Sequence, residues 1–174
     1  MSPPNPVIRP ARPGDAAALA AIHNEGIEDR VATFETRPRA AADYDERVAG
    51  PLPLLVAEAD GRVVAWAGLG PYSDMPAYLG VGELSIYVAR AARGRGVGAR
   101  LLEALAAEAE RAGMHKIVSK VFPTNGVSVA LMRRCGFREV GTHLAHGVLD
   151  GEWRDVVVYE RALGEAARAA ASRD

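Results

Sequence analysis

The segment "GELSIYVARAARGRGVGARLLEAL", residues 82–105, joins an apolar run to a helical pattern through a turn that contains three glycines. In the apolar run, partial alternation puts Leu84, Ile86 and Val88 on one face of a strand and polar residues on the other. After the turn, leucines at helical spacing predict a helix over residues 98–112. The segment therefore predicts a strand, a tight turn and a helix in direct succession.

The turn itself is suited to binding an anion. Gly94, Gly96 and Gly98 lie where the chain enters the helix, so an anion can closely approach backbone N–H groups at the positive end of the helix. Arg93 and Arg95 add cationic donors. This arrangement suits the pyrophosphate of a nucleotide-like cofactor. The alternative is a glycine-rich turn with solvated arginines that binds nothing.

Two well-known phosphate motifs do not fit the turn. The letters "GRGVGA" (94–99) match the dinucleotide fingerprint, but that motif also needs an acidic residue about 20 positions later, at the end of the next strand. The next predicted strand, "KIVSKVF" (116–122), offers Lys120 there instead. A P-loop requires Gly-Lys followed by Ser or Thr, which the chain lacks. A Rossmann or P-loop protein is therefore excluded.

The pattern around this segment predicts further strands and helices. Residues 7–11 predict a short strand, Asp15 begins a first helix, and residues 38–50 predict a short second helix. Asp60-Gly61 and Asp150-Gly151 predict the turns of two hairpins. The other strands are predicted over residues 53–59, 62–70, 81–88, 116–122, 137–143 and 153–163, and the last helix from Asn125 or Ser128 to Cys135.

The order β α α β β β α β α β β predicts an α/β fold with a mixed sheet, rather than a regular βαβ alternation. We expect a single domain over residues 7–163. Residues 1–6 are polar and rich in proline, and we expect them to be disordered. Residues 164–174 form an alanine-rich tail, for which a frayed helix and disorder are both open.

Composition excludes several classes of protein. The 174 residues carry 21 basic and 22 acidic side chains, a net charge of −1, which gives no electrostatic basis for binding nucleic acid. No stretch is long and apolar enough to span a bilayer, so no membrane partner is expected. A single cysteine, Cys135, excludes an internal disulfide and a cysteine-rich metal site, and we expect no metal. These features predict a cytoplasmic protein.

Several separated motifs resemble the GNAT N-acetyltransferase superfamily. The pattern Arg93-x-x-Gly96-x-Gly98 after a strand is similar to its acetyl-CoA-binding motif, and "ELSIYV" and "SVALMRRCGFREVG" resemble two further blocks of the superfamily. The segments "GIEDRVATFET", "GPYSDMPAY" and "LDGEWRDVVVYER" are similar to the phosphinothricin N-acetyltransferase group and its arsinothricin-acetylating relatives. The resemblance implies the GNAT fold, a mixed central sheet of six to seven strands that splays after the motif-bearing strand and is flanked by about four helices.

The resemblance also implies a function. Such an enzyme moves acetyl from acetyl-CoA to the α-amino group of a small glutamate analogue, such as phosphinothricin, methionine sulfoximine or arsinothricin, by direct attack. It also implies a homodimer. One alternative is an acetyltransferase for another amine, a polyamine or a protein N-terminus. The other is a non-catalytic acyl-CoA-binding module on the same fold.

By the same resemblance, residues of the central segment take roles in binding and catalysis. Acetyl-CoA is expected at Ile86, Tyr87, Val88, Arg93, Gly94, Arg95, Gly96, Val97 and Gly98. Asn125 matches an asparagine that contacts the CoA arm, although an ordinary helix N-cap would have the same sequence. Glu83 matches a glutamate general base, which would accept the proton of the amine directly or through water. Met132 stands where many members have a tyrosine general acid, so that role is unassigned.

Candidates for holding the anionic acceptor are Arg30, Thr33, Phe34, Tyr72 and His146. Arg30 and Phe34 lie in a connector that resembles the substrate loop of the family. The planar fork of an arginine suits a carboxylate, and an exposed charge at a helix end is the alternative. His23, on the first predicted helix, is interpreted as a structural residue.

Overall fold

The fold is built on one mixed sheet of seven strands, seen in a computed structural model that describes residues 5–173. In chain order the strands are β1 (Val7–Pro10), β2 (Leu54–Ala59), β3 (Arg62–Pro71), β4 (Val81–Val88), β5 (Lys116–Val121), β6 (Arg138–Leu149) and β7 (Glu152–Ala162). Their spatial order is β1-β2-β3-β4-β5-β7-β6. The pair β4 and β5 is parallel, and the other neighbours are antiparallel. The predicted α/β class and strand number are confirmed.

Five α-helices accompany the sheet in the described part of the chain: α1 (Ala16–Asp29), α2 (Asp45–Ala49), α3 (Val97–Arg111), α4 (Gly126–Arg134) and α5 (Gly164–Ala171). The helix expected over residues 38–50 is shorter, since a 3-10 turn at Ala41–Tyr44 precedes α2. Helix α5 forms in the alanine-rich tail, for which the sequence was compatible with either a frayed helix or disorder. None of the described helices is long and apolar enough to cross a membrane.

Both predicted hairpin turns are present. Asp60 and Gly61 have φ values of 50° and 71°, and Asp150 and Gly151 have φ values of 50° and 80°. Left-handed backbone at both central positions gives the type I′ turn, whose twist matches that of the flanking strands. These turns fix the antiparallel pairs β2–β3 and β6–β7.

The two faces of β4 pack against different helices, as its alternation predicts. Leu84 joins a buried cluster with Leu101, Leu102 and Leu105 of α3. Burying a leucine completely contributes about 1.5–3 kcal/mol, so this stripe anchors α3 to the sheet. On the opposite face, Tyr87 packs against a cluster from α1 and β3.

The sheet splays in the middle of β4. Pairing of β4 with β5 covers Val81 to Glu83 and ends there, opposite Val118. Pairing with β3 on the other side continues to Val88. From Leu84 onward, the side of β4 that faces β5 therefore has free backbone groups. We call this opening the fork.

The ends of the chain are only partly described. Residues 1–4 and 174 lie outside the described residues, so most of the disorder expected over residues 1–6 falls there. Asn5 and Pro6 are held in place, because the guanidinium of Arg100 on α3 donates to the Asn5 side chain at 3.0 Å and to the Pro6 carbonyl at 3.2 Å.

Candidate active site

A cavity of about 500 Å³ opens at the fork, and we call it the fork cavity. Its walls come from α1, the connector after α1, the segment around α2, both strands of the fork, α4 and β6. It brings together a set of residues that are far apart in the chain and that the sequence singled out: Thr33, Phe34, Glu83, Ile86, Tyr87, Asn125, Met132 and His146.

Glu83 lies at the point where β4 and β5 part. Its Oε2 accepts a hydrogen bond from Nζ of Lys120 on β5 at 3.1 Å, and 37% of its side chain is exposed. A half-exposed pair of this kind stabilises the fold by at most about 1 kcal/mol. Its effect is to hold the carboxylate at the mouth of the fork, where a water or an amine can reach it.

Asn125 and Met132 lie on the wall formed by α4. The Oδ1 of Asn125 accepts a hydrogen bond from the Ser128 N–H at 3.1 Å, so Asn125 is the N-cap of α4. Contact of Asn125 with a CoA arm stays a prediction. Met132 is 1% exposed, and its thioether has no proton to give, so it cannot replace a tyrosine general acid.

The glycine turn, residues 93–98, leads from the end of β4 into α3. Gly94 and Gly96 have φ values of 74° and 76°, and Gly96 is the N-cap of α3. A Cβ at either position would meet nothing within 4 Å, so the space above the turn is open. The first N–H groups of a helix have no partner within the helix. Because the space above them is open here, they can bind a phosphate group. Val88 and the residues of the turn are not part of the lining of the fork cavity.

The two arginines of the turn differ. Arg95 is exposed. Arg93 donates to the Val88 carbonyl at 3.0 Å and to the carboxylate of Asp29, at the end of α1, at 2.7 Å. Hydrogen bonds from Arg90 and Arg93 hold the pKa of Asp29 below its usual value. Arg93 therefore ties the end of β4 to the end of α1.

Phe34 reaches the fork cavity from the connector after α1. Its ring packs edge-on against Phe122 with centroids 4.8 Å apart, and a Cβ on Gly147 would lie 2.7 Å from it. A bulge in β6 between His143 and Gly147 shapes this contact. The same bulge places His146 in the lining, stacked on His143 at 4.4 Å.

Two predicted acceptor residues lie elsewhere. Arg30 has a left-handed φ of 57° at the C-cap of α1, which turns its side chain to Asp150 at 3.1 Å and to the Ile27 carbonyl. Tyr72 packs edge-on against Tyr78 and lines a second pocket near α5. Neither residue lines the fork cavity.

The sequence reasoning missed an aromatic cluster at the floor of the fork cavity. Trp66 lies at its centre, and its ring centroid is 5.9 Å from His23, 5.6 Å from Tyr44 and 5.1 Å from Tyr87. Burial lowers the pKa of His23 and raises the pKa of Tyr44. It also raises the pKa of Tyr87 to about 12. At neutral pH these groups are uncharged hydrogen-bonding groups.

Charged residues from the connector and α2 border this cluster. Arg39 makes a two-pronged pair with Glu35, at 2.7 and 3.0 Å. Arg47 is half-buried, and its guanidinium carbon lies 5.0 Å from the centroid of Trp66. Burial lowers the pKa of Arg47, although an arginine stays charged. Within residues 5–173, no group of three or more His, Cys, Asp or Glu side chains could hold a metal ion.

Comparison with known proteins gives the class to which this fold and site belong. Residues 19–137 match the profile of the acetyltransferase (GNAT) family. The chain belongs to that family. The expectations of the family, its fold and an acetyl-CoA-dependent N-acetyltransferase are confirmed.

Three relatives show how the likeness extends over the chain. The phosphinothricin N-acetyltransferase of Streptomyces viridochromogenes is 34% identical over 88% of this chain and 86% of its own. The L-methionine sulfoximine/L-methionine sulfone acetyltransferase of Pseudomonas aeruginosa is 32% identical over 86% of this chain and 90% of its own. The crystal structure of a GNAT superfamily phosphinothricin acetyltransferase from Sinorhizobium meliloti, in complex with acetyl-CoA, superposes with a TM-score of 0.88. It is 29% identical and covers 95% of this chain and 92% of its own.

Proposed function

We propose that this protein transfers acetyl from acetyl-CoA to the α-amino group of a small glutamate analogue, with Glu83 as the general base. The observation that carries the proposal is the charge pattern of the fork cavity. Three cations, Arg39, Arg47 and Lys120, share its lining with three carboxylates, Glu35, Asp43 and Glu83. Arg39 pairs with Glu35 and Lys120 with Glu83, which leaves Arg47 as the lining cation without a salt bridge among the described residues. The names of the relatives, which act on phosphinothricin or on methionine sulfoximine, support the same class of acceptor.

The charge pattern separates the candidate acceptors. A zwitterionic acceptor with a second anionic group finds both signs of charge in the cavity. A polyamine carries only positive charges, so it offers no anion to Arg47, and the unpaired charge of Arg47 would repel it. A cavity of about 500 Å³ also has the size of a small-molecule site.

The free edge of β4 and the glycine turn are the proposed seat of acetyl-CoA. Beyond Glu83 the backbone of β4 is not paired with β5, so its free groups can bond to an amide-bearing chain, while the Val88 carbonyl already accepts from Arg93. The N–H groups at Gly94 and Gly96 receive phosphate at the start of α3. Asn125 contacts the CoA arm from the N-cap of α4. When bound, acetyl-CoA supplies an acetyl group that is activated as a thioester.

Glu83 supplies the proton chemistry in this proposal. An amino group is mostly protonated at neutral pH, and only its neutral form can attack a carbonyl carbon. Glu83 accepts the ammonium proton directly or through one water, and Lys120 keeps the carboxylate at the fork. The thiolate of a thiol with an ordinary pKa near 8.5 is a good leaving group and can take its proton from water after it departs, so no general acid is assigned.

We also propose a cytoplasmic homodimer. The hairpin β6–β7 exposes large apolar side chains, with Leu144 77% and Trp153 69% exposed. Val140 and Val148 extend this apolar surface along the edge strand of the sheet, and a second copy of the chain would cover it. Sedimentation equilibrium of the purified protein at micromolar concentration is expected to give twice the chain mass.

A thiol-release assay with acetyl-CoA tests the proposed acceptor class. Phosphinothricin, methionine sulfoximine, arsinothricin, glutamate, spermidine and an alanine-initiated peptide are compared at equal concentration. The three glutamate analogues should give the highest kcat/KM, and mass spectrometry should locate the acetyl group on the α-nitrogen. N-acetylphosphinothricin is the blocked control and should give no turnover.

Turnover restricted to spermidine or to the peptide would reject the proposed acceptor class. Tight binding of acetyl-CoA without turnover on any amine would instead indicate a non-catalytic acyl-CoA-binding module.

A further inference from the structure

Two buried side-chain nitrogens among the described residues have no hydrogen-bond partner, Nε2 of His23 and Nη2 of Arg47. A buried donor without a partner costs about 1–3 kcal/mol, and more if it is charged. Native proteins keep few such groups, so each one calls for an explanation. Both residues line the fork cavity, where a bound molecule can supply the missing acceptor.

His23 is oriented so that only one of its ring nitrogens is free. The residue is 7% exposed, and its ring lies against that of Tyr87 with centroids 4.2 Å apart. Its Nδ1 is hydrogen-bonded to the hydroxyl of Tyr44. Nε2 lies 3.8 Å from Oε1 of Glu35, which is beyond hydrogen-bonding distance, and that oxygen already accepts from Arg39. Glu35 therefore does not satisfy Nε2.

Arg47 presents a cation without a counter-ion. It forms no salt bridge with any residue from 5 to 173, and its guanidinium carbon lies 5.0 Å from the ring centroid of Trp66. Removing a guanidinium partly from water without an anion is unfavourable, and an oxyanion that accepts from its planar fork would offset that cost. His23 also packs against Trp66, so both side chains border the same ring.

We propose that His23 and Arg47 form the subsite for the anionic group on the side chain of the acceptor. This inference rests on the proposed function, which places the amine at Glu83. The α-carboxylate is bonded to the carbon that carries the amine, so it stays near Glu83, where Lys120 is the adjacent cation. His23 and Arg47 line the same cavity as Glu83 and Lys120. Lys120 is already paired with Glu83, so the second anion of the acceptor is assigned to the unpartnered groups of His23 and Arg47.

The chemistry of the subsite selects oxyanions such as a carboxylate, a phosphinate or an arsinate. The guanidinium of Arg47 offers parallel N–H donors to two oxygens. In the tautomer with its proton on Nε2, His23 adds a third donor while Nδ1 accepts from Tyr44. A neutral sulfone of similar length has oxygen acceptors but no charge, so it gains less from Arg47.

Two acceptors that differ in the charge of the side chain test the subsite. Arg47→Met should lower kcat/KM for phosphinothricin about 10- to 100-fold, the usual range for a lost charge-assisted contact. For methionine sulfone, which has the same α-carbon groups and a neutral side chain, the loss should stay within about threefold, and KM for acetyl-CoA should not change. The matched control is Arg37→Met, which removes an exposed arginine of the connector. Equal losses with both acceptors would overturn the proposal.

Variants of His23 test the second donor and serve as the test if Arg47→Met does not fold. His23→Asn keeps a polar partner for Tyr44 but has no donor at the Nε2 position, and it should lose about tenfold with phosphinothricin. His23→Gln restores a longer amide donor and should recover part of that loss. A loss that is as large with methionine sulfone, or no recovery with glutamine, would mean that His23 is structural.

Calorimetric titration of phosphinothricin in the absence of acetyl-CoA separates this proposal from the proposed function. If the wild-type protein acetylates none of the amines but binds phosphinothricin, and Arg47→Met weakens that binding at least tenfold, the subsite stands and the proposed reaction fails. If the wild-type protein acetylates phosphinothricin and Arg47→Met binds and acetylates it equally well, the reaction stands and the subsite fails. No binding of phosphinothricin to the wild-type protein overturns both.

Discussion

The two halves of the fork differ in the groups that they offer to a ligand, which are backbone groups in one half and side chains in the other. The half proposed to hold the acetyl donor, acetyl-CoA, is called the donor half. There the free edge of β4 and the glycine turn offer backbone N–H and C=O groups. The half proposed to hold the amine that accepts the acetyl group is called the acceptor half. There the fork cavity is lined by side chains from α1, the connector, α2 and β6. Backbone sites tolerate changes of side-chain chemistry but depend on φ, whereas side-chain sites depend on each polar group and on close packing. The two halves should therefore fail under different substitutions.

The largest expected effect is at the junction of the two halves. Glu83→Gln keeps the shape and removes the proton acceptor, and loss of a general base costs about 10²–10⁴ in rate. We expect kcat to fall by that order at neutral pH while acetyl-CoA affinity holds. The deficit should shrink as pH rises, because more of the amine arrives deprotonated. Steady-state rates from about pH 6 to 10 test this expectation.

The control for Glu83→Gln is Glu165→Gln, an exposed position on α5, which should keep the wild-type rate. A wild-type rate for Glu83→Gln at neutral pH would remove Glu83 from the mechanism. A large deficit that stays constant with pH would assign it a positioning role instead.

The donor half should respond to backbone strain. Gly96 has a φ of 76°, and a β-branched residue in that conformation costs about 1–2 kcal/mol or more. Gly96→Val should therefore weaken acetyl-CoA binding about 10- to 100-fold by shifting the N–H groups of the turn. Calorimetric titration with acetyl-CoA measures this. Gly14→Val is the control, because a Cβ there meets nothing and φ is not left-handed; equal affinities for both variants would overturn the placement.

The acceptor half should respond to packing. A Cβ on Gly147 would lie 2.7 Å from the ring of Phe34, so Gly147→Ala should push that ring into the fork cavity. Because the ring can shift in part, we expect KM for the amino acid to rise about fivefold, at the lower end of overpacking costs. KM for acetyl-CoA should not change. Gly141→Ala, on the same strand with nothing near its Cβ, should behave as wild type; matching effects in the two variants would contradict the argument.

The smallest effect concerns stability. Burial lowers the pKa of His23, so the unfolded chain binds its proton more readily than the folded protein does. Stability should therefore fall as pH drops below about 6.5, at up to about 1.4 kcal/mol per pH unit for one proton. Urea unfolding of wild type and His23→Asn between about pH 5 and 8 measures the two slopes. The variant should show the flatter curve, and identical slopes would indicate that His23 is protonated in the folded protein.

Sequence could predict the donor half because its determinants are local. The alternation of Leu84 and Ile86, the glycine turn and the leucines of α3 are contiguous in the chain, and each follows from short-range rules. The family resemblance implied a splay after the motif-bearing strand, but not its position after Glu83, since no local pattern specifies where pairing of β4 with β5 ends.

The acceptor half was harder to predict from the sequence, because tertiary packing decides which way each side chain points. From the sequence, Arg30 and Arg47 are equally suitable for binding an anionic acceptor. In the structure, the left-handed C-cap of α1 turns Arg30 toward Asp150. For His23 the sequence did contain a pattern that indicates burial. The residue is four positions from Leu19 and from Ile27, which are both buried, so its imidazole had to be buried too. A buried polar group needs a partner, and the search for that partner leads to Tyr44 and to the fork cavity.

The fork also bears on aggregation. An unpaired strand edge normally templates pairing with another chain, and sheets protect such edges with charges, bulges or short strands. Here the free edge of β4 lies in the interior of the sheet, with β3 paired on one side and β5 diverging from the same point on the other. A foreign strand would have to thread between two strands that are joined at Glu83. The protein can therefore keep unpaired backbone open to a ligand without offering it to its neighbours.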